Sequence, residues 1–167
     1  MPLAMDGLWL GVRLLLLLTL ANFSPIVARR FLGERWAAPL DGGLYWPDGR
    51  PLLGPSKTWR GLFAAVAAGA LGAPLLGFPF EVGALAGAAS MAGDALASFA
   101  KRRLGIASSG RAFVLDQLPE SLLPLLVLQP VLHLPLVVVA GVSLAFVLLE
   151  PPAAKLAYRL GWRETPY

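Results

Sequence analysis

The stretch LPESLLPLLVLQPVLHLPLVVVAGVSLAFVLL, residues 118–149, decides how this chain is arranged. It is apolar almost throughout, but Pro124, Pro130 and Pro135 interrupt it. It therefore reads either as one kinked crossing of a bilayer or as a tight hairpin of two short crossings, about Leu118–Leu132 and Leu134–Leu149. Three further apolar runs precede it, at about Leu8–Ala28, Thr58–Leu76 and Phe80–Ala100. Each approaches the length of about 20 residues that a helix needs to cross a hydrocarbon core of roughly 30 Å.

The composition agrees with a membrane location. Of the 167 residues, 57% are apolar and 14% are Asp, Glu, Lys or Arg, with a mean hydropathy of +0.68. Soluble domains carry about 25% charged residues, and so little charge cannot coat a soluble globule. The net charge of +4 is more naturally explained by orientation signals and anionic headgroups than by nucleic acid, which is not expected as a partner. With no cysteine, disulfides, thiolate metal sites and a cysteine nucleophile are excluded. The first apolar run is too long for a signal-peptide core and follows no basic segment, so it reads as a retained span.

The basic residues choose between four crossings and five, because Lys and Arg collect on the cytoplasmic side. Arg29, Arg30, Arg35, Arg50 and Lys57 lie between the first two runs, with Arg60 just beyond. Lys101, Arg102, Arg103 and Arg111 follow the third, and Lys155, Arg159 and Arg163 follow the last. The turns at Gly77–Pro79 and Gln129–Pro135 carry none, and only Arg13 departs from the scheme. Five crossings put every basic cluster on one face. The expectation is one all-α, multi-pass domain over residues 1–167, with the N-terminus outside, the C-terminus cytoplasmic and two large cytoplasmic loops.

The first of those loops, Arg29 to Lys57, contains the turn formers Asp41-Gly42-Gly43, Asp48-Gly49-Arg50-Pro51 and Gly54-Pro55. Its Trp36, Leu44, Tyr45, Trp46, Leu52 and Leu53 argue for a folded segment over a disordered one. In the second and third runs, small residues at i and i+4 (Gly61, Ala65, Gly69; Gly83, Gly87) predict close helix packing.

Asp94 is an acid inside the third run, where an uncompensated carboxylate costs about 2.5 kcal/mol or more. Helical spacing puts Ser98, Lys101 and Arg102 on its face, leading toward the cytoplasmic surface. A structural salt bridge is the competing reading for Asp94, and headgroup anchoring is that for the Lys101-Arg102-Arg103 triplet. Gly54-Pro55-Ser56-Lys57-Thr58-Trp59-Arg60-Gly61 opens the second run. Ser56 is placed to cap this helix, and the unpaired N–H groups of its N-terminus favour phosphate.

Asp116-Gln117-Leu118-Pro119-Glu120 repeats the arrangement at the fourth run, with an N-cap as the plainer role for Asp116. Two carboxylates in one layer with six or more cations suit a magnesium-bound triphosphate, since Mg2+ takes one or two carboxylates plus phosphate oxygens. Asn22, before Ser24-Pro25, either binds a ligand or serves as polar glue between helices. His133 falls at the opposite membrane face, as an interfacial residue.

Taken together, these segments resemble the CDP-archaeol synthases, archaeal relatives of the CDP-diacylglycerol synthase family of membrane cytidylyltransferases. The resemblance rests on Asn22 with Pro25, Pro39–Gly43, Asp48–Gly54, Ser56–Gly61, Gly93–Asp94 through Ser98–Arg103, and Leu115–Pro119. The extended His-Gly-Gly-type signature of the bacterial and eukaryotic synthases is not present, and the shorter Leu-Asp-Gln segment stands in its place.

The resemblance implies transfer of a cytidylyl group from CTP to 2,3-bis-O-geranylgeranyl-sn-glycerol 1-phosphate, with Mg2+ as cofactor, at the cytoplasmic face of the cell membrane. It implies Lys57, Asp94, Lys101 and Asp116 as catalytic residues, with Asp94 and Asp116 on the metal. Asn22, Asp41, Gly42, Gly43, Ser56, Thr58, Arg60, Ser98, Arg102, Arg103 and Gln117 are implied at the substrates. The alternatives are a polyprenol kinase-like phosphotransferase, which would need a base for its alcohol acceptor, and an ion-coupled transporter, for which the polar material is too one-sided.

Overall fold

The computed structural model describes residues 2–107 and 112–162, so Arg111 and Arg163 lie outside the described residues. Five α-helices follow one another: α1 Pro2–Leu32, α2 Trp59–Gly72, α3 Phe80–Arg103, α4 Phe113–Leu132 and α5 Leu136–Arg159. A short 3-10 turn, Pro74–Leu76, follows α2. By length and apolarity α1, α3 and α5 each suffice to cross a bilayer, whereas α2 has 14 residues and α4 carries Asp116, Gln117 and Glu120 in its first two turns. Leu16, Val137, Leu144 and Leu148 are exposed on the outside of the bundle. Apolar exposure on that scale suits lipid and not water.

The stretch at 118–149 forms two helices, α4 and α5, joined by a tight turn. His133 takes a left-handed conformation at φ 50°, Leu134 N–H bonds back to the Gln129 carbonyl, and Pro135 caps α5. Pro119, Pro124 and Pro130 stay inside α4. A proline leaves the carbonyl four residues earlier without its helical donor, and a membrane helix tolerates this where a side chain supplies one. Ser90 Oγ on α3 donates to the Glu120 carbonyl that Pro124 frees, at 3.0 Å. In α1, Ser24 Oγ does the same for the Ala21 carbonyl freed by Pro25, at 2.8 Å. Helix α5 continues ten residues past Leu149, through Pro151 and Pro152, so Lys155 and Arg159 lie on a helix and not on a loose tail.

Helix α3 is central, packed against α2 on one side and α4 on the other, with α1 and α5 completing the bundle. Its glycines make this possible. A Cβ on Gly83 would stand 2.0 Å from the Gly69 carbonyl oxygen, and one on Gly87 would stand 2.4 Å from that of Ala65. The small-residue stripes therefore set backbone-to-backbone packing. Arg13, the exception in the charge pattern, donates from Nε to the Leu76 carbonyl and lies 4.4 Å over the Phe78 ring, fastening the α2–α3 turn.

The loop before α2 is folded, as its aromatic content predicted. Two isolated bridges, Pro39 with Thr58 and Tyr45 with Pro51, fold it back on itself. The backbone of Lys57 is held by Leu40 N–H on its carbonyl at 2.8 Å. Thr58, not Ser56, caps α2: its hydroxyl accepts the Gly61 N–H at 3.2 Å, while Ser56 stays exposed in the preceding turn. The extended backbone of Thr58 suits the N-cap position, which Ser56 precedes by two residues.

Candidate functional site

The loop, the C-terminal end of α3 and the N-terminal end of α4 meet at one end of the bundle. Lys57 Nζ pairs with Asp94 Oδ2 at 2.5 Å, and Lys101 Nζ with Asp116 Oδ1 at 2.5 Å. All four side chains are largely shielded, Asp94 by about four-fifths. Burial works against the Lys57 charge, but Asp94 beside it, with Glu120 and Asp116 further off, holds its pKa above the ordinary lysine value. Lys57 is therefore a cation throughout the physiological range. Both competing readings of Asp94 meet here, since its salt bridge is formed by the lysine of the candidate phosphate-binding turn.

Glu120 had no role assigned from sequence. It sits one turn after Asp116 on α4, and its carboxyl is hydrogen-bonded to that of Asp94. The signal available in the sequence was the i+4 spacing from Asp116. Glu150 on α5 also reaches this layer, accepting from Gln117 Nε2 at 2.8 Å, while the buried Gln117 Oε1 has no hydrogen-bond partner. Asp116 is inside α4 and not at its N-cap: Phe113 begins the helix, and Asp116 Oδ2 accepts the Ala112 N–H at 3.0 Å.

Several predicted substrate contacts are occupied by the scaffold. Arg60, 7% exposed, closes the end of α1 by donating to the carbonyls of Gly33 and Arg35, and its Nε is left without a partner. Arg102, 6% exposed, donates from Nη2 to the Ala107 carbonyl at 3.0 Å, with its Nε likewise unpartnered. Arg103 turns to the loop, pairing with Asp48 at 3.2 Å, donating to the Pro51 carbonyl at 2.6 Å and covering the rings of Phe99 and Trp46. Arg50 reciprocates by donating to the Arg103 carbonyl at 2.7 Å and, at 3.2 Å, to that of Arg102, which also accepts the Gly105 N–H. Ser98 is buried on the Asp94 face of α3. Asn22 is engaged with Ser90, donating from Nδ2 at 2.7 Å and accepting at Oδ1 at 3.0 Å, which is the polar-glue role.

Asp41 is the clamp of the loop. Its carboxylate accepts the N–H groups of Gly43 at 3.0 Å, Leu53 at 2.8 Å and Gly54 at 3.3 Å, and Gly42 and Gly43 make the turn with φ of 61° and 79°. Burial alone would raise its pKa, but these three donors outweigh it and hold it below the ordinary 3.8. A depressed folded pKa means the clamp stabilises fully above about pH 3.8 and fails as pH falls through the lower folded value. Pepsin digestion is therefore expected to cut the loop near Leu44–Trp46 only at the acid end of its range. In Asp41→Asn, which loses about 1–3 kcal/mol of charge-assisted bonding, the cut is expected at pH values where the wild-type loop survives. Equal digestion profiles would remove the clamp.

Known proteins can be compared with this geometry. A family model described as CarS-like, CDP-archaeol synthase, matches residues 76–167. The CDP-archaeol synthase of Thermococcus onnurineus is 36% identical over 163 residues, covering 88% of this chain and 89% of its own length. That of Pyrococcus horikoshii is 32% identical over 158 residues, with the same coverage. A solved structure, described as an intramembrane enzyme for archaeal membrane lipid biosynthesis, superposes with a TM-score of 0.73 at 33% identity, covering 85% of this chain and 90% of the other. On the family model, on identities above 30% across most of its length and on a shared fold, this chain belongs to the CDP-archaeol synthase family.

Proposed function

We propose that the protein transfers the cytidylyl group of CTP to 2,3-bis-O-geranylgeranyl-sn-glycerol 1-phosphate, giving unsaturated CDP-archaeol and pyrophosphate. The observation that carries this reading is the convergence of Lys57, Lys101, Asp94 and Asp116 from separate elements at the polar end of an apolar bundle. The family supplies the identity of the reaction. The polar end faces the cytoplasm in this reading, with five crossings and the N-terminus outside, because the basic residues gather there. The isoprenoid chains then stay in the bilayer while the headgroup meets the nucleotide at the interface.

An oxygen of the lipid phosphate attacks the α-phosphorus of CTP, and the bond from that phosphorus to the bridging oxygen of the β-phosphate breaks, releasing pyrophosphate. The lipid phosphate carries about 1.5 to 2 negative charges at neutral pH, as phosphomonoesters do, so no strong base is needed. Repulsion between two polyanions is the barrier, and positioned cations lower it. Lys57 and Lys101 are such cations.

Mg2+ fits the donor set. Among the described residues no group of three or more His, Cys, Asp or Glu forms a cage. Mg2+ bound to a triphosphate needs only one or two carboxylates. Asp94 and Asp116 would hold the ion. When bound, Mg2+ would neutralise phosphate charge and favour departure of pyrophosphate. The purified protein with radiolabelled CTP, the geranylgeranyl lipid phosphate and Mg2+ is expected to form CDP-lipid and pyrophosphate, and to form neither in EDTA. Phosphorylation of a lipid alcohol in place of cytidylyl transfer would sink the assignment.

A further inference from the structure

Ser90 lies on α3 one helical turn before Asp94 and is fully buried. Its oxygen accepts from Asn22 Nδ2 of α1 at 2.7 Å, and its single O–H has two acceptors in reach at 3.0 Å, the Glu120 carbonyl of α4 and Asn22 Oδ1. That carbonyl is open only because Pro124, four residues on, brings no N–H. Glu120 is thus held through its own backbone by the helix that carries Asp94, and its carboxyl meets that of Asp94. The approach is close at this level: a Cβ on Gly93 would stand 2.1 Å from the Pro119 carbonyl oxygen.

We infer that Ser90, oriented by Asn22, is a positioning residue that fixes the Glu120 carboxyl against Asp94 by taking the carbonyl Pro124 leaves free. Three features make this more than interhelical packing. The bond ends on the backbone of the residue whose side chain enters the site. The acceptor exists because of a proline within an otherwise apolar helix. Asn22 donates from Nδ2 to the Leu18 carbonyl at 3.0 Å and to Ser90 Oγ at 2.7 Å, which leaves the Ser90 O–H for the Glu120 carbonyl. Loss of the hydroxyl leaves the Glu120 carbonyl without the donor that Pro124 cannot supply and releases the backbone of Glu120 from α3.

The inference rests on the proposed cytidylyl transfer for its kinetic consequence, and a second readout needs no catalysis. Ser90→Ala is expected to lower kcat for CDP-lipid formation about 10- to 100-fold, the usual scale for a residue supporting a site from behind, with KM for CTP unchanged. Asn22→Ala is expected to act in the same direction and to add nothing in the Ser90→Ala background, whereas Ser90→Thr, which keeps the donor, is expected to restore turnover.

The chain has no cysteine, so Asp94→Cys with Glu120→Cys gives a clean proximity probe. This pair is expected to crosslink rapidly under mild oxidation, and several-fold more slowly with Ser90→Ala added. If the wild type makes no CDP-lipid yet crosslinking depends on Ser90, the reading of function fails and the positioning role stands. Crosslinking and kcat both indifferent to Ser90→Ala would overturn the positioning role. So would a raised KM for CTP at unchanged kcat in Asn22→Ala, which would place Asn22 on the nucleotide.

Discussion

Asp94→Asn is expected to lower CDP-lipid formation by about 10^2- to 10^3-fold or more, on the scale of losing a main electrostatic group of an active site, while the protein remains folded. Lys57→Ala is expected to do the same. The two residues form one ion pair at 2.5 Å, so their removal tests both readings of Asp94. Breaking a fully buried pair costs about 3–5 kcal/mol. The cost here is smaller, because both side chains keep about one-fifth of their exposure, and in Asp94→Asn the nearby Glu120 is left to offset the Lys57 charge. If the pair were only structural, the double variant Asp94→Asn/Lys57→Ala would recover stability and activity together. The expected result is that thermal stability in detergent recovers in part and turnover does not. Near-wild-type turnover in either single variant would remove that residue from the chemistry.

Gly93→Ala is expected to be the one-methyl change that most directly disturbs the site. Its Cβ would meet the Pro119 carbonyl oxygen at 2.1 Å and the Glu120 amide nitrogen at 3.0 Å, both backbone atoms that cannot rotate away. Helices α3 and α4 must part, at a cost of about 1–3 kcal/mol for overpacking. The parting occurs between Asp94 and Glu120, so activity is expected to fall further than stability. Gly141→Ala is the control, since nothing lies within 4 Å of its Cβ position. The check is a melting temperature and a turnover number for each. Equal behaviour of the two variants would show that the α3–α4 contact is looser than the structure has it.

Much of the site was legible because charge is rare in this chain. An acid at position 94 inside an apolar helix is conspicuous, as are Lys57 at a helix start and Lys101 one turn from a helix end. Asp41 was legible as a member of a motif but not in its role. A carboxylate that collects three backbone N–H groups is recognisable only when residues 43, 53 and 54 are brought to it. Arg60 and Arg103 show the same limit. Guanidinium groups near a phosphate site read as phosphate ligands, yet the open carbonyls at the ends of α1 and α3's partner loop claim part of their hydrogen bonding. Glu120 was missed because a glutamate in the second turn of an apolar helix near its polar end is ordinary until a neighbouring helix places Asp94 against it.

The sequence by itself determined the number of helices and the end at which the charges gather, since apolar length and the placement of Lys and Arg are properties of segments taken one at a time. Pro124, Pro130 and Pro135 look alike in it. Only the tertiary structure decided that Pro135 begins a helix while Pro124 lies within one. The reason is that a freed carbonyl in an apolar medium must find a donor, and at Pro124 that donor is a serine 34 residues earlier in the chain, on another helix.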